Sequence, residues 1–226
     1  MEAYKPAAIF DMDGTLINNT PYHFKAWQQM FELHNLPGLT HKTYLDEISG
    51  VPVAYTIKKF FGSQVKDQFI RQLSEEKQSL YEQAFKPYLK PINGLENVLA
   101  QLKSNGFKIA LATSSNQSDI DFIFEGIPIK QYFDALITGN MVNEPKPSPQ
   151  IFLKAANKLN ANPNQCVVFE DSLAGLRAGR SAGMKVAGIT TSHPAAVIAK
   201  LADMVINDYT KVTPGRLAEL FEQTQA

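Results

Sequence analysis

The sequence predicts an α/β protein: a doubly wound parallel sheet with a small helical unit inserted after the first strand. Three observations predict it. Short apolar runs alternate with longer stretches of helical periodicity, polar residues cluster just after the apolar runs, and the alternation lapses once, from about Ile17 to Tyr88.

Taken in order, the first apolar run is Ala7-Ala8-Ile9-Phe10, and the next is Phe107-Lys108-Ile109-Ala110-Leu111-Ala112. Cys166-Val167-Val168-Phe169, Val186-Ala187-Gly188-Ile189 and Met204-Val205-Ile206 follow. Each is bounded by turn residues or a polar cluster, as strands buried on both faces of a parallel sheet are. Helical spacing places Leu95, Val98, Leu99 and Leu102 on one face, then Ile151, Phe152, Ala155, Ala156 and Leu159, then Leu173, Leu176 and Ala178. Gly106 and Gly183 stand where helices should stop. Within the lapse, Tyr22 to Leu33 and Thr56 to Ile70 carry apolar residues at helical spacing, and Pro87, Pro91 and Asn93-Gly94 supply a return hinge. In doubly wound sheets ligands collect beyond the carboxyl ends of the strands, so a helical unit inserted there is expected to cap the site.

The chain has 226 residues, 44% of them hydrophobic, which is enough for a real interior and argues against disorder. Lysine plus arginine number 22 and aspartate plus glutamate 22, so no net field favours nucleic acid or an anionic membrane. A small-molecule partner is the expectation. The single cysteine, Cys166, lies in an apolar run, excludes an internal disulfide and fits a reducing compartment. Residues 1–10 lack the apolar stretch and cleavage site of a signal peptide, and no segment approaches the roughly 18 apolar residues of a membrane span. Cytoplasmic residence and a monomer are expected.

Four polar segments follow predicted strands or open helices. Asp11-Met12-Asp13-Gly14-Thr15 places two carboxylates in alternate positions before a glycine, a pattern that also closes strands as a plain Asx turn. Thr113-Ser114-Ser115 offers a hydroxyl and main-chain N–H groups to an oxyanion. Lys146 sits among prolines in Glu144-Pro145-Lys146-Pro147-Ser148-Pro149, ahead of a helix that Ser148 can cap and Pro149 can start; alone it reads as a solvated loop lysine. Glu170-Asp171-Ser172 ends a strand and equally suits a helix N-cap.

In this order the four segments resemble the four motifs of the haloacid dehalogenase superfamily over essentially the whole chain. Phe169-Glu170-Asp171-Ser172-Leu173-Ala174-Gly175 and the insertion after the first motif further resemble its β-phosphoglucomutase-like branch. The resemblance implies a Rossmann-like catalytic core over residues 1–16 and 90–226 and a specificity cap over residues 17–89. It implies Mg²⁺ as cofactor, a phosphorylated small molecule as substrate, and Asp11 as the nucleophile that forms an aspartyl-phosphate. Asp171 and the main-chain carbonyl of Asp13 are implied as metal ligands beside Asp11, with Glu170 as a helper; all are hard oxygen donors of the kind Mg²⁺ takes. The Asp13 carboxyl is implied as general acid and then base. Dehalogenases of the superfamily lack a carboxylate there, so Asp13 favours phosphate chemistry. Lys146, Thr113 and the Ser114 N–H are implied to hold the transferring phosphate.

The cap carries the substrate clues. His23, in Pro21-Tyr22-His23-Phe24-Lys25-Ala26-Trp27, resembles a β-phosphoglucomutase histidine that couples substrate binding to the acid/base aspartate, and Lys77 resembles a cap lysine of that group. Both also read as ordinary helix residues. Glu47 and Ser49, in Asp46-Glu47-Ile48-Ser49-Gly50, are candidate specificity residues or a plain helix end. Phe24, Trp27, Phe31, Phe60 and Phe61 read as the cap's own core. Two departures matter: the mutases hold a second phosphate with basic residues at positions that align with Val53 and Asn116, both neutral here. Each lost charge-assisted contact costs about 1.5–3 kcal/mol. A bisphosphate is therefore poorly held unless Lys58, Lys59 or Lys77 substitutes, which favours hydrolysis of a sugar or polyol phosphate, or of pyrophosphate, over mutase action.

Overall fold

The computed structural model describes residues 5–49 and 51–222. Residues 1–4, part of the segment inspected for a signal peptide, lie outside that description, as do Gly50 of the candidate cap loop and residues 223–226. The elements in chain order are β1 (Ala7–Phe10), α1 (Thr20–Leu33), α2 (His41–Glu47), α3 (Val53–Phe61), α4 (Asp67–Phe85), α5 (Leu95–Ser104), β2 (Lys108–Ala112) and α6 (Gln117–Gly126). They continue with β3 (Ala135–Ile137), α7 (Gln150–Lys158), β4 (Cys166–Glu170), α8 (Leu173–Ser181), β5 (Lys185–Ile189), α9 (Ala195–Ile198), β6 (Met204–Ile206) and α10 (Pro214–Glu222).

Among the described residues the strands form one parallel sheet in the order β3-β2-β1-β4-β5-β6. That is the doubly wound order, whose direction reverses at β1. The strand sequences show why: side chains alternate across a strand, yet every position of β1 is buried, so both faces need cover. On one face Ala7, Ile9, Ala110, Ala112, Cys166 and Val168 pack with Phe152 and Ala155 of α7 and Ala178 of α8. On the other, the paired residues Phe10 and Phe169 stack with ring centroids 4.4 Å apart, and Tyr209 lies 6.0 Å from Phe10. Cys166 is a core residue whose Sγ donates to the Asn162 carbonyl at 3.2 Å, and burial pushes its thiol up to about 12.

The chain divides into two compact units, residues 1–18 with 90–226, and residues 19–89. The division falls two residues later than the 16/17 expectation because Ile17 bridges Asp13 and Pro91, and Ile92 N–H donates to the Leu16 carbonyl at 2.9 Å. Among its described residues the inserted unit is built of helices joined by short loops, with no strand. Trp27, Met30, Phe31, Tyr44, Ile57 and Leu73 are buried in its apolar cluster, with Phe24, Phe60 and Phe61 packed against it.

Three sequence expectations need correction. The helical pattern over Thr56 to Ile70 is two helices, because Gly62 takes a φ of 118° and separates α3 from α4. A sixth strand, β3, escaped the pattern because it has only three residues and two of them are half-buried, which leaves no apolar run to see. Ser148 does not cap α7 and Pro149 is not its first residue: Pro149 occupies the N-cap with no side-chain cap bond, and the Ser148 Oγ is a marginal 3.4 Å from Gln150 N.

Candidate active site

The reversal at β1 brings three strand ends together. Asp11 N–H continues the ladder to Phe169 O at 3.0 Å, and Thr113 N–H reaches Ile137 O at 3.0 Å. Residues directly after β1, β2 and β4 therefore share one edge of the sheet, the crevice in which such folds bind ligands.

Lys146 Nζ donates to Asp11 Oδ1 at 2.6 Å and to Glu170 Oε1 at 2.8 Å, with its ammonium 4.9 Å from the Phe152 ring centre. All three charged residues are at most 8% exposed, so this is no solvated loop lysine. Burial alone would lower the Lys146 ammonium, but Asp11 and Glu170 more than offset that and hold it charged. The other oxygen of Glu170 accepts the N–H groups of Asp171 and Ser172, both at 2.7 Å. Ser172 caps α8, accepting Gly175 N–H at 3.1 Å. The helix-cap reading of this segment thus holds for Ser172, while Glu170 and Asp171 point into the charged cluster.

Two glycines admit these carboxylates. A Cβ on Gly14 would stand 2.0 Å from Asp171 Oδ2, and the Gly14 φ of +79° disfavours any side chain. A Cβ on Gly175 would stand 1.7 Å from Glu170 Oε1. Neither position tolerates alanine without moving an acid.

Carboxylate oxygens of Asp11, Glu170 and Asp171 lie within 4.8 Å of one another. Burial, then the charges of Glu170, Asp171 and Asp13, raise Asp11 well above the carboxylate range against the pull of Lys146. Burial and then Glu170 push Asp171 up to about 8. Three buried carboxylates facing one ammonium, all hard oxygen donors, fit a divalent cation of the Mg²⁺ kind.

Asp13 is half-buried and its Oδ2 accepts a hydrogen bond from Ser115 Oγ at 2.5 Å. Thr113 is fully buried, its Oγ1 accepting Ser115 N–H at 3.0 Å, and Ser114 is half-buried beside Gly139. Asn116 is exposed and closes a capping box on α6: its side chain accepts Asp119 N–H at 3.2 Å, and Asp119 accepts its N–H at 3.0 Å. Four residues that sequence reasoning did not single out complete this edge. Thr15 Oγ1 donates to Asp171 Oδ1 at 3.3 Å, Ser192 Oγ donates to Asp171 Oδ2, Thr191 Oγ1 donates to Gly14 O at 2.5 Å, and Tyr209 Oη donates to Thr15 O at 2.9 Å. Thr191 and Ser192 stand just after β5, where the rule of inspecting polar residues beyond strand ends reaches them; Tyr209 gives no such signal.

In the inserted unit, Lys77 is 4% exposed and its Nζ donates to His23 Nδ1 at 2.8 Å. The His23 ring stacks on Tyr81 at 3.9 Å, and its Nε2 lies 3.1 Å from the Asn19 amide, which also donates to Tyr81 Oη at 2.8 Å. Lys77 is therefore not a solvent-facing lysine. Glu47 pairs with Lys59 at 3.0 Å, both side chains 40% exposed, while Ser49 is half-buried.

The edge is thus a buried, oxygen-rich site beyond the strand ends of a doubly wound sheet. The chain belongs to the haloacid dehalogenase-like hydrolase family, whose model matches residues 8–189. A phosphorylated carbohydrates phosphatase of Thermotoga maritima is 33% identical over 79% of this chain and 82% of its own length. The β-phosphoglucomutase of Bacillus subtilis is 30% identical over 96% of each chain. The crystal structure of a β-phosphoglucomutase from Clostridium difficile superposes with a TM-score of 0.85 at 25% identity, covering 97% of this chain and 98% of that one. No described helix is long and apolar enough to cross a membrane.

Proposed function

We propose that the protein is a Mg²⁺-dependent phosphatase that hydrolyses a small phosphorylated metabolite, a sugar or polyol phosphate or pyrophosphate, through an aspartyl-phosphate on Asp11. The observation that carries this reading is the buried Lys146 bridging Asp11 and Glu170, with a second carboxylate, Asp13, two residues along and held on Ser115. Asp11, Asp171 and the Asp13 carbonyl would hold the cation, which would screen the anionic nucleophile from the anionic ester. An Asp11 oxygen attacks phosphorus, the phosphorus–oxygen bond to the leaving group breaks, and the Asp13 carboxyl gives that oxygen its proton. Lys146, the Thr113 hydroxyl and the Ser114 N–H bind the oxygens of the transferring group, where negative charge must be met by fixed donors. Water then attacks the phosphoenzyme while Asp13 accepts its proton, releasing phosphate and regenerating the Asp11 carboxylate.

The inserted helical unit is the part proposed to choose the substrate, through His23, Lys77, Glu47 and Ser49, with Asn116 of the core. Hydrolysis is favoured over transfer because second-phosphate donors are scarce. Val53 and Asn116 are neutral and Asn116 caps α6, Lys59 is paired with Glu47 and Lys77 with His23, which leaves exposed Lys58 of the three candidate lysines. The His23–Lys77 pair supports the second reading, a β-phosphoglucomutase-type isomerase of hexose phosphates.

The test is a panel of phosphate esters, pyrophosphate and β-glucose 1-phosphate with Mg²⁺, with and without glucose 1,6-bisphosphate. Phosphate release abolished by Asp11→Asn supports the phosphatase. Glucose 6-phosphate formed without free phosphate, and only with the bisphosphate, replaces it with the mutase.

A further inference from the structure

We infer that the loop after β5 is a clamp on the metal-binding edge, in which Thr191 and Ser192 are positioning residues that set cation affinity by holding the Gly14 turn and the Asp171 carboxylate. This rests on the reading of Asp11 and Asp171 as metal ligands.

The contacts act on two different groups. Ser192 Oγ donates to Asp171 Oδ2 while Thr15 Oγ1 donates to Oδ1 at 3.3 Å, so each oxygen of this 3%-exposed carboxylate receives one hydroxyl. A carboxylate oxygen has two lone pairs, so each keeps one for a cation while its rotation is fixed from both sides. Thr191 Oγ1 donates at 2.5 Å to the Gly14 carbonyl, one peptide beyond the Asp13 carbonyl proposed as a ligand. The two held groups are also packed together, since Gly14 leaves no room for a Cβ beside Asp171. One dipeptide thus ties the end of β4 to the turn after β1.

The loop is itself rooted in the sheet. Thr190 N–H donates to Ile206 O at 3.0 Å and Thr190 Oγ1 to Asn207 Oδ1 at 2.8 Å, so the clamp starts from a fixed strand end. The following helix α9 has Pro194 at its N-cap, so neither hydroxyl is there to cap it. Side chains that orient metal ligands from behind change metal affinity about 10–100-fold when removed.

The experiment titrates metal-free protein with Mg²⁺ by calorimetry, comparing wild type, Ser192→Ala, Thr191→Val and Ser192→Thr. The clamp predicts at least a tenfold rise in Kd for Ser192→Ala and a rise for Thr191→Val, recovery in Ser192→Thr, and metal-free circular dichroism spectra like that of wild type. Wild-type binding with unchanged Kd in both hydroxyl-deleting variants overturns the clamp alone. A wild-type chain that binds no Mg²⁺ overturns the metal-site reading and the clamp with it. Should Ser192→Ala not fold, Thr191→Val decides.

Discussion

Replacing Gly175 by alanine adds a single methyl group and should dismantle the Glu170 anchor. The new Cβ would stand 1.7 Å from Glu170 Oε1, 2.0 Å from Cδ and 2.7 Å from Cγ, so the end of that side chain cannot stay where it is. Glu170 is 1% exposed and has few other places to go. Its carboxylate accepts two main-chain N–H groups at 2.7 Å and the Lys146 ammonium at 2.8 Å. Hydrogen bonds to charged groups contribute about 1.5–3 kcal/mol each, so losing two of the three removes about 3–6 kcal/mol. Alanine's better helix propensity returns about 1 kcal/mol, which leaves a net loss of about 2–5 kcal/mol. For a chain of this size that lowers the melting temperature by about 4–20 °C. The assay is thermal unfolding, with Gly38→Ala as control because nothing lies within 4 Å of a Cβ there. In a Glu170→Ala background the three atoms nearest to the methyl are gone, and Gly175→Ala should then cost far less than in wild type. A Gly175→Ala protein that melts within about 2 °C of wild type, with unchanged activity, would show that Glu170 is not anchored by these bonds.

Lys146→Ala should lower kcat/KM by about 100- to 1000-fold, the usual effect of losing one fixed donor to developing charge, and steady-state kinetics check it. Lys146→Arg should not rescue, because a planar guanidinium does not fit an 8%-exposed slot closed by Phe152. The metal-free protein should lose stability as pH rises: burial and Glu170 raise folded Asp171 to about 8 from 3.8, so the folded state holds a proton that the unfolded chain releases across that window. Melting in chelator should therefore occur at lower temperature at pH 8 than at about pH 5, with Mg²⁺ narrowing the gap; a melting temperature that climbs with pH contradicts the charge balance. Asn116→Ala should cost about 1 kcal/mol in denaturant titration, as loss of an N-cap does, and should also raise KM; an unchanged KM confines Asn116 to capping α6.

Much of the fold was legible in sequence because buried parallel strands leave continuous apolar runs. β1, β2, β4, β5 and β6 stood out in this way, and β3 did not because a three-residue half-buried strand leaves none. The insertion was visible as a lapse in alternation, but the break at Gly62 was hidden because apolar residues on both sides keep a helical spacing that one glycine does not erase. Asp11, Thr113 and Glu170-Asp171 were found by position, each at the end of a strand. Lys146 was found only by resemblance, since nothing local distinguishes a lysine among prolines from a solvated one, and its burial depends on contacts 135 and 24 residues away in sequence. Tyr209 shows the limit. Its hydroxyl supports Thr15 across 194 residues, a relation that no spacing rule carries.

Whether Asp11 carries the phosphate is decided by acid-quenching the Mg²⁺-loaded enzyme during turnover of its best phosphate ester. A phosphoryl group is expected on the Asp11 peptide by mass spectrometry, absent from Asp11→Asn, which also releases no phosphate. Phosphate release at the wild-type rate by Asp11→Asn, with no phosphopeptide from either protein, would contradict it.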